Sequence, residues 1–145
     1  MATRSRIGIE LSNGQIYSIY CHWDGYPSYN GEILKKHYKT REKVMELIML
    51  GDISSLRQRV APNRREIGKH SFDTPITDVV IAYHRDRGED YAKPRVNANR
   101  NEYKNSDIEE WGYLLTKKNE WLVVENNYKG KNTFKKLKDY LSVSQ

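Results

Sequence analysis

Between Ser5 and Leu11 the apolar side chains fall on every second position, with Ile7, Ile9 and Leu11 on one face. That alternation predicts a half-buried strand. Asn13-Gly14 follows, the dipeptide that best suits a tight hairpin turn. The stretch from Gln15 to His22 then returns, with Ile16, Ser18, Tyr20 and His22 on one face and Tyr17, Ile19 and Cys21 on the other. After the turn residues Asp24-Gly25-Tyr26-Pro27 the period lengthens. Ile33, Leu34, His37 and Tyr38 have helical spacing and predict a helix over roughly 28–38. Thr40 is placed to cap a second helix, in which Val44, Leu47 and Ile48 form an apolar stripe and which Gly51 would end.

The middle of the chain is less periodic. Arg57 to Lys69 is basic, polar and broken by Pro62, and reads as a loop. Val79-Val80-Ile81-Ala82-Tyr83 is a short continuous apolar run, the pattern of a strand covered on both sides. A charged turn follows over 85–90, then a second long loop over 91–105. Ser106-Asp107-Ile108-Glu109 fits a capping box that would open a short helix ending at Gly112. Tyr113–Thr116 and Trp121–Glu125 predict a second hairpin. Asn132 would cap a last helix in which Phe134, Leu137 and Leu141 share a face. The expected fold is therefore α+β: one domain over 1–145, in the order ββααβαββα. Its mostly antiparallel sheet has about five strands, two hairpins plus one buried strand, and the helices pack on one side.

Charge changes this picture little. The net charge is +6, spread as +2, +3 and +1 over residues 1–58, 59–105 and 106–145. A duplex-DNA reader concentrates its charge on one face or arm, and an acidic DNA mimic is excluded by the sign. Cys21 is the only cysteine, so no disulfide framework is expected. The N-terminus lacks the apolar core of a secretory signal. No run approaches the ~18 apolar residues of a membrane span. An intracellular protein without a cofactor is expected.

Three constellations carry candidate chemistry. Cys21-His22-Trp23-Asp24-Gly25-Tyr26-Pro27 joins a thiol, an imidazole and a carboxylate, but zinc needs ligands in spaced pairs and none exist. His22 should also point away from Cys21. Tyr83-His84-Arg85-Asp86-Arg87-Gly88-Glu89-Asp90 offers two arginines for bidentate phosphate contacts. The same residues would also make a self-contained, salt-bridged turn. Arg4 and Arg6 precede or open the first strand. Third, two basic loops hold Arg57, Arg59, Arg64, Arg65 and Lys69, then Lys93, Arg95, Arg100 and Lys104. Tyr91 and Tyr103 flank the second loop, a mixture that suits a single nucleic-acid strand. There is no Gly-rich phosphate loop and no nucleophile elbow.

Thr3-Arg4-Ser5-Arg6-Ile7-Gly8-Ile9-Glu10, Ser18-Ile19-Tyr20-Cys21-His22-Trp23-Asp24-Gly25-Tyr26-Pro27 and His37-Tyr38 resemble a family of small uncharacterised tailed-bacteriophage accessory proteins. The likeness runs over residues 3–58, and Ala82-Tyr83-His84-Arg85-Asp86-Arg87-Gly88 is similar too. The resemblance implies a phage accessory protein in the host bacterial cytoplasm. It brings no catalytic or binding residues of its own. Such proteins disarm host defence by covering a defence protein or by sequestering a nucleotide signal. The expected function is therefore a non-enzymatic inhibitor of an antiphage system, whose partner is a host defence protein or an anionic nucleotide. Arg85 and Arg87, joined by Arg4 or Arg6 as weaker candidates, would pair with phosphates. Tyr20, Trp23, Tyr26 or Tyr83 would stack on a base, and His22 and His84 would donate hydrogen bonds, with Asp24 beside them. Two alternatives stand beside it: nucleic-acid binding through loops 57–69 and 93–104, and a small nucleotide hydrolase using His22, Asp24 and His84. A homo-oligomer stays open.

Overall fold

A computed structural model describes residues 2–143, the side chain of Val143 excepted. It is an α+β chain built on one mixed sheet. The strands are β1 (Ser5–Glu10), β2 (Ile16–Cys21), β3 (Ile53–Ser55), β4 (Ile81–Ala82), β5 (Arg95–Asn97), β6 (Trp111–Leu115), β7 (Trp121–Glu125) and β8 (Lys135–Lys136). The helices are α1 (Glu32–His37), α2 (Arg41–Ile48), α3 (Tyr83–Arg87), α4 (Arg100–Asn105) and α5 (Leu137–Val143). The strand order is β4-β3-β2-β1-β6-β7-β8, with β5 also paired to β2.

Both expected hairpins form. β1 pairs antiparallel with β2, and β6 with β7. What joins them is a parallel seam, Ser5 opposite Trp111 through Ile9 opposite Leu115. The outer edge of β2 is shared, because β3 meets it in parallel at Cys21 while β5 pairs antiparallel with Ile16–Ser18. The sheet is thus larger than five strands and is parallel at its centre. A hairpin's pattern says which partner its own strand has, but not what lies on its other edge.

The first face carries the main core: Ile7, Ile9, Ile19 and Cys21 of the first hairpin against Leu34, Val44, Leu47, Ile48, Leu137 and Leu141 of α1, α2 and α5. Thr40 caps α2 as expected, its side chain accepting from the Lys43 N–H. Gly51 ends that segment at φ 78°, where a Cβ would stand 2.8 Å from the Ala92 carbonyl.

Helices do not keep to one side. α4 covers the opposite face, where Tyr103 packs with Ile16, Ile108, Leu114, Leu122 and Val124. Gly8 makes room for it: a Cβ there would come within 3.3 Å of the Tyr103 ring. All six β1 residues are consequently buried, including Arg6 and Glu10. Glu10 is neutralised by a bidentate pair with Arg100 of α4, at 2.8 Å to each carboxylate oxygen.

Four local expectations change. The 91–105 segment holds β5 and α4 rather than an open loop. Ser106 does not start a helix; its Oγ donates to the Tyr103 carbonyl (2.7 Å) at the end of α4, and 111 already belongs to β6. The apolar run 79–83 contributes only the two-residue edge strand β4, and α3 begins at Tyr83. Asn132 accepts from the Asn127 N–H instead of capping α5, and Phe134 packs on the α4 side of the sheet.

Candidate functional site

The end of the first hairpin gathers most of the singled-out residues. Arg6 and Tyr20 lie directly opposite one another across β1 and β2. The Arg6 side chain reaches along the sheet to Ser18, its Nε donating to Oγ (3.1 Å) and its Nη2 to the carbonyl (3.3 Å). Arg95 of β5 sits opposite the same Ser18, and its Nη1 donates to the Asp107 carbonyl at 2.8 Å. Two guanidinium groups therefore share one corner. Among the described residues neither has a carboxylate within the 4.0 Å of an ion pair. Arg6 is only 6% exposed. Burial first, and then Arg95, push its pKa down, while Asp52 and Asp107 pull the other way from outside ion-pair distance.

Aromatic groups border this corner. The Tyr20 hydroxyl is hydrogen-bonded to His22 Nδ1 at 2.7 Å, and the His22 ring meets Trp23 edge-on at 4.7 Å. Burial raises the Tyr20 pKa, which keeps the phenol neutral. Arg4 lies beside Tyr20, half-exposed and paired at 3.8 Å with Glu109.

The loop after β2 is bolted from beneath. Asn30 is fully buried, and its Nδ2 reaches Ser5 Oγ (3.3 Å) and Cys21 Sγ (3.4 Å). Gly25 donates to the Thr3 carbonyl (2.8 Å) and accepts from the Tyr113 hydroxyl (2.6 Å). A Cβ on Gly25 would stand 2.7 Å from Ser5 Cβ, so any other residue would force the loop to shift. Asp24 takes the left-handed conformation (φ 57°) and accepts from the Tyr26 hydroxyl at 3.2 Å. The fixed loop holds Trp23 and Tyr26 out in solvent, 44% and 38% exposed. Cys21 is part of the anchor: burial pushes its thiol up to about 11, far from a reactive thiolate.

The second constellation is largely engaged with its own neighbours. All three guanidinium nitrogens of Arg85 are engaged, with Val60 O (2.7 Å), Val80 O (2.6 Å) and both oxygens of Asp86. Arg87 pairs with Glu89 at 2.7 Å and lies 4.7 Å over the Phe72 ring. His84 donates from Nδ1 to the Glu89 carbonyl (2.6 Å) and meets Tyr91 edge-on. This is the self-contained, salt-bridged turn. Tyr83 alone faces the first cluster, within electrostatic reach of Tyr20. Among the described residues no hydrogen bond, ion pair or ring contact links His84 with His22 or Asp24. No group of three or more His, Cys, Asp or Glu among them is placed to hold a metal ion.

Asp86 is the hub of that turn, and its role escapes a reading of the sequence. It accepts from the Ala82 N–H (2.7 Å) and from His70 Nε2 (3.2 Å) as well as from Arg85. His70 Nδ1 accepts from the Ile76 N–H (2.9 Å), which places the ring proton on Nε2. No sequence pattern signals it, because His70 lies 16 residues earlier in a stretch without periodicity.

The basic loops are also largely committed. Arg59 lies between Glu66 and Asp78, at 2.7 Å from each. Arg100 is on Glu10, and Tyr103 is buried with its hydroxyl on the Tyr113 carbonyl (2.7 Å). Arg64, Arg65, Lys69 and Lys93 remain exposed. Compared with protein-family models, curated proteins and solved structures, the chain matches none. No helix of the described residues is long and apolar enough to cross a membrane.

Proposed function

We propose that this chain is a non-enzymatic binding protein for an anionic ligand that carries an aromatic ring, a nucleotide in the first instance. The observation that carries the reading is the Arg6–Arg95 corner. A nearly buried guanidinium without a carboxylate partner, beside a second one, is unfavourable. A phosphate placed between them would relieve that cost through charge-assisted hydrogen bonds. Tyr20, His22 and Trp23 supply ring faces next to it, and Arg4 supplies a further cation at the rim. Arg85 has no part in the site, since its donors are spent on Val60, Val80 and Asp86, and Arg87 is paired with Glu89. The buried Cys21 thiol favours binding over covalent catalysis. Taken with the resemblance to phage accessory proteins, the role would be sequestration of a nucleotide signal of host defence.

Isothermal titration with a panel of mono-, di- and cyclic nucleotides tests the reading. A ligand should bind the native chain and lose at least ~10-fold in affinity, about 1.4 kcal/mol, in Arg95→Ala without loss of fold. If every nucleotide of the panel fails to bind, the proposal is wrong.

The exposed Trp23 and Tyr26 favour a second reading, direct contact with a host protein. Rigid aromatic anchors with arginine nearby dominate protein interfaces. The two readings separate in infected, defence-positive cells. Loss of protection in Tyr26→Ala with Arg95→Ala still active would point to a protein partner.

A further inference from the structure

One group of unpaired lysines lies away from both loops that look basic in the sequence. Lys35 of α1, Lys118 of the β6–β7 turn, Lys131, Lys135 of β8 and Lys138 of α5 have no carboxylate partner among the described residues. They surround α5 where it crosses β7. Two depressions open on either side of it. One, of about 280 Å³, is lined by Trp111, Glu125, Lys131, Thr133, Lys135 and Tyr140 among others. The other, of about 350 Å³, is lined by Lys35, Lys118, Asn119, Glu120, Trp121 and Lys138.

Edge strands often carry lysine to block pairing with another chain. That would account for Lys135 and Lys136 of β8, but not for Lys35, Lys118, Lys131 or Lys138, which lie off the edge strand. The acids nearby do not balance the group. Glu120 is taken by Lys136 at 3.8 Å, which leaves Glu125 and Asp139 against five lysines. The first depression also has an aromatic wall. Trp111 and Tyr140 meet edge-on with centroids 5.9 Å apart, and Lys135 Nζ lies 6.0 Å from the Tyr140 ring centre. A ring wall between spaced ammonium groups is the arrangement that holds a base while its phosphates are tracked.

We propose that the α5–β8 edge is a binding surface for single-stranded nucleic acid, with a base against Trp111 and Tyr140 and phosphates on Lys131, Lys135, Lys35, Lys118 and Lys138. The surface is separate from the Arg6–Arg95 corner and does not depend on the function assigned to it. With three or four of the five lysines engaged at one time, the salt slope is about −2 to −3 for a single strand. Affinity should then fall ~20- to 50-fold between 50 and 200 mM salt.

The test is fluorescence anisotropy of the full chain with a labelled twelve-residue oligothymidylate at 50 mM salt. Binding that weakens with salt as above is expected. The double variant Lys131→Glu/Lys135→Glu should bind at least ~10-fold more weakly with an unchanged urea midpoint. Tyr140→Leu, which keeps an apolar contact for Trp111, should lose ~5-fold or more, the lower bound for one stacked base. No binding at 10 µM protein or about that level overturns the proposal, on the affinity expected of even non-specific contacts. So does an affinity indifferent to salt, or a double lysine variant that binds like the parent. An oligoglutamate of equal length competing as well as the oligonucleotide would also overturn it, and would assign the edge to acidic proteins.

Discussion

Removing the Asp86 carboxylate should come close to unfolding the protein. Its side chain is 4% exposed and accepts four hydrogen bonds, from Ala82 N, His70 Nε2, Arg85 Nε and Arg85 Nη2. Counting each charged bond at ~1.5–3 kcal/mol would overshoot, because the donors have second partners. Arg85 keeps Val60 O and Val80 O, and His70 keeps Val80 O at 3.0 Å. The Ala82 N–H keeps no partner, and a cation is left uncompensated. The loss expected for Asp86→Ala is therefore that of breaking one buried pair, ~3–5 kcal/mol, against ~5–15 kcal/mol for a whole domain. Urea unfolding followed by tryptophan fluorescence reads it directly. With an m-value of about 2 kcal/mol/M the midpoint should fall by ~2 M at constant m.

The acid limb gives a second readout. Burial pushes Asp86 up, but Arg85, the Ala82 N–H and His70 outweigh it and leave the pKa below its ordinary 3.8. A depressed carboxylate stabilises the fold above its unfolded pKa, and that contribution fades as pH falls through the folded value. Asp86→Asn should flatten the decline of stability below pH ~4. A loss under ~1 kcal/mol in Asp86→Ala, the range of an exposed pair, would refute the view that this turn is a buried clamp.

Further expectations concern the anchors. Arg100→Ala leaves Glu10 buried without its partner and should cost ~3 kcal/mol by denaturation. The pKa of Glu10 is held below 4.5, chiefly by Arg100, so the same variant should lose stability less steeply than the parent as pH drops below that value. Gly25→Ala forces a Cβ against Ser5 and the Thr3 carbonyl, 2.7 and 2.9 Å away, and should lower stability by ~1–3 kcal/mol; an unchanged urea midpoint would show that the loop yields. Cys21 should resist a thiol reagent at pH 8 in the native protein and react at once in urea, since burial holds the thiol near 11.

The first hairpin was legible because Ile7, Ile9 and Asn13-Gly14 carry both the period and the turn. Thr40 was legible because a cap needs only local geometry. The second sheet face was hidden by its own chemistry. Arg6, Gly8 and Glu10 look like the wet side of a strand, yet α4 buries them, and α4 itself offers a single buried side chain, Tyr103. Ser106 carried a true signal with the wrong sign, since a serine that could open a helix here closes one. At the proposed corner, the nearness of Arg4, Arg6, Tyr20, His22 and Trp23 follows from their places on one hairpin. The meeting of Arg6 with Arg95 was not legible, because it depends on β5 docking beside β2, with Arg95 opposite Ser18 from 77 residues further along. In the sequence a free Arg85 reads as well as a salt-bridged one, because the Val60 carbonyl that helps to occupy it comes from a loop without periodicity.

The parallel seam between β1 and β6 has a consequence for the order of assembly. Ser5 meets Trp111 across more than 100 residues of intervening chain, a closure that costs entropy before any contact repays it. On the ribosome the first hairpin can fold as soon as it emerges, but one edge of β1 then stays open until the last third of the protein has been made. That edge is apolar on one face and unpaired, the kind that recruits other chains. Chains cut short before Trp111 should therefore aggregate, while chains that run on through α5, which supplies Leu137 and Leu141 to the core, should stay in solution.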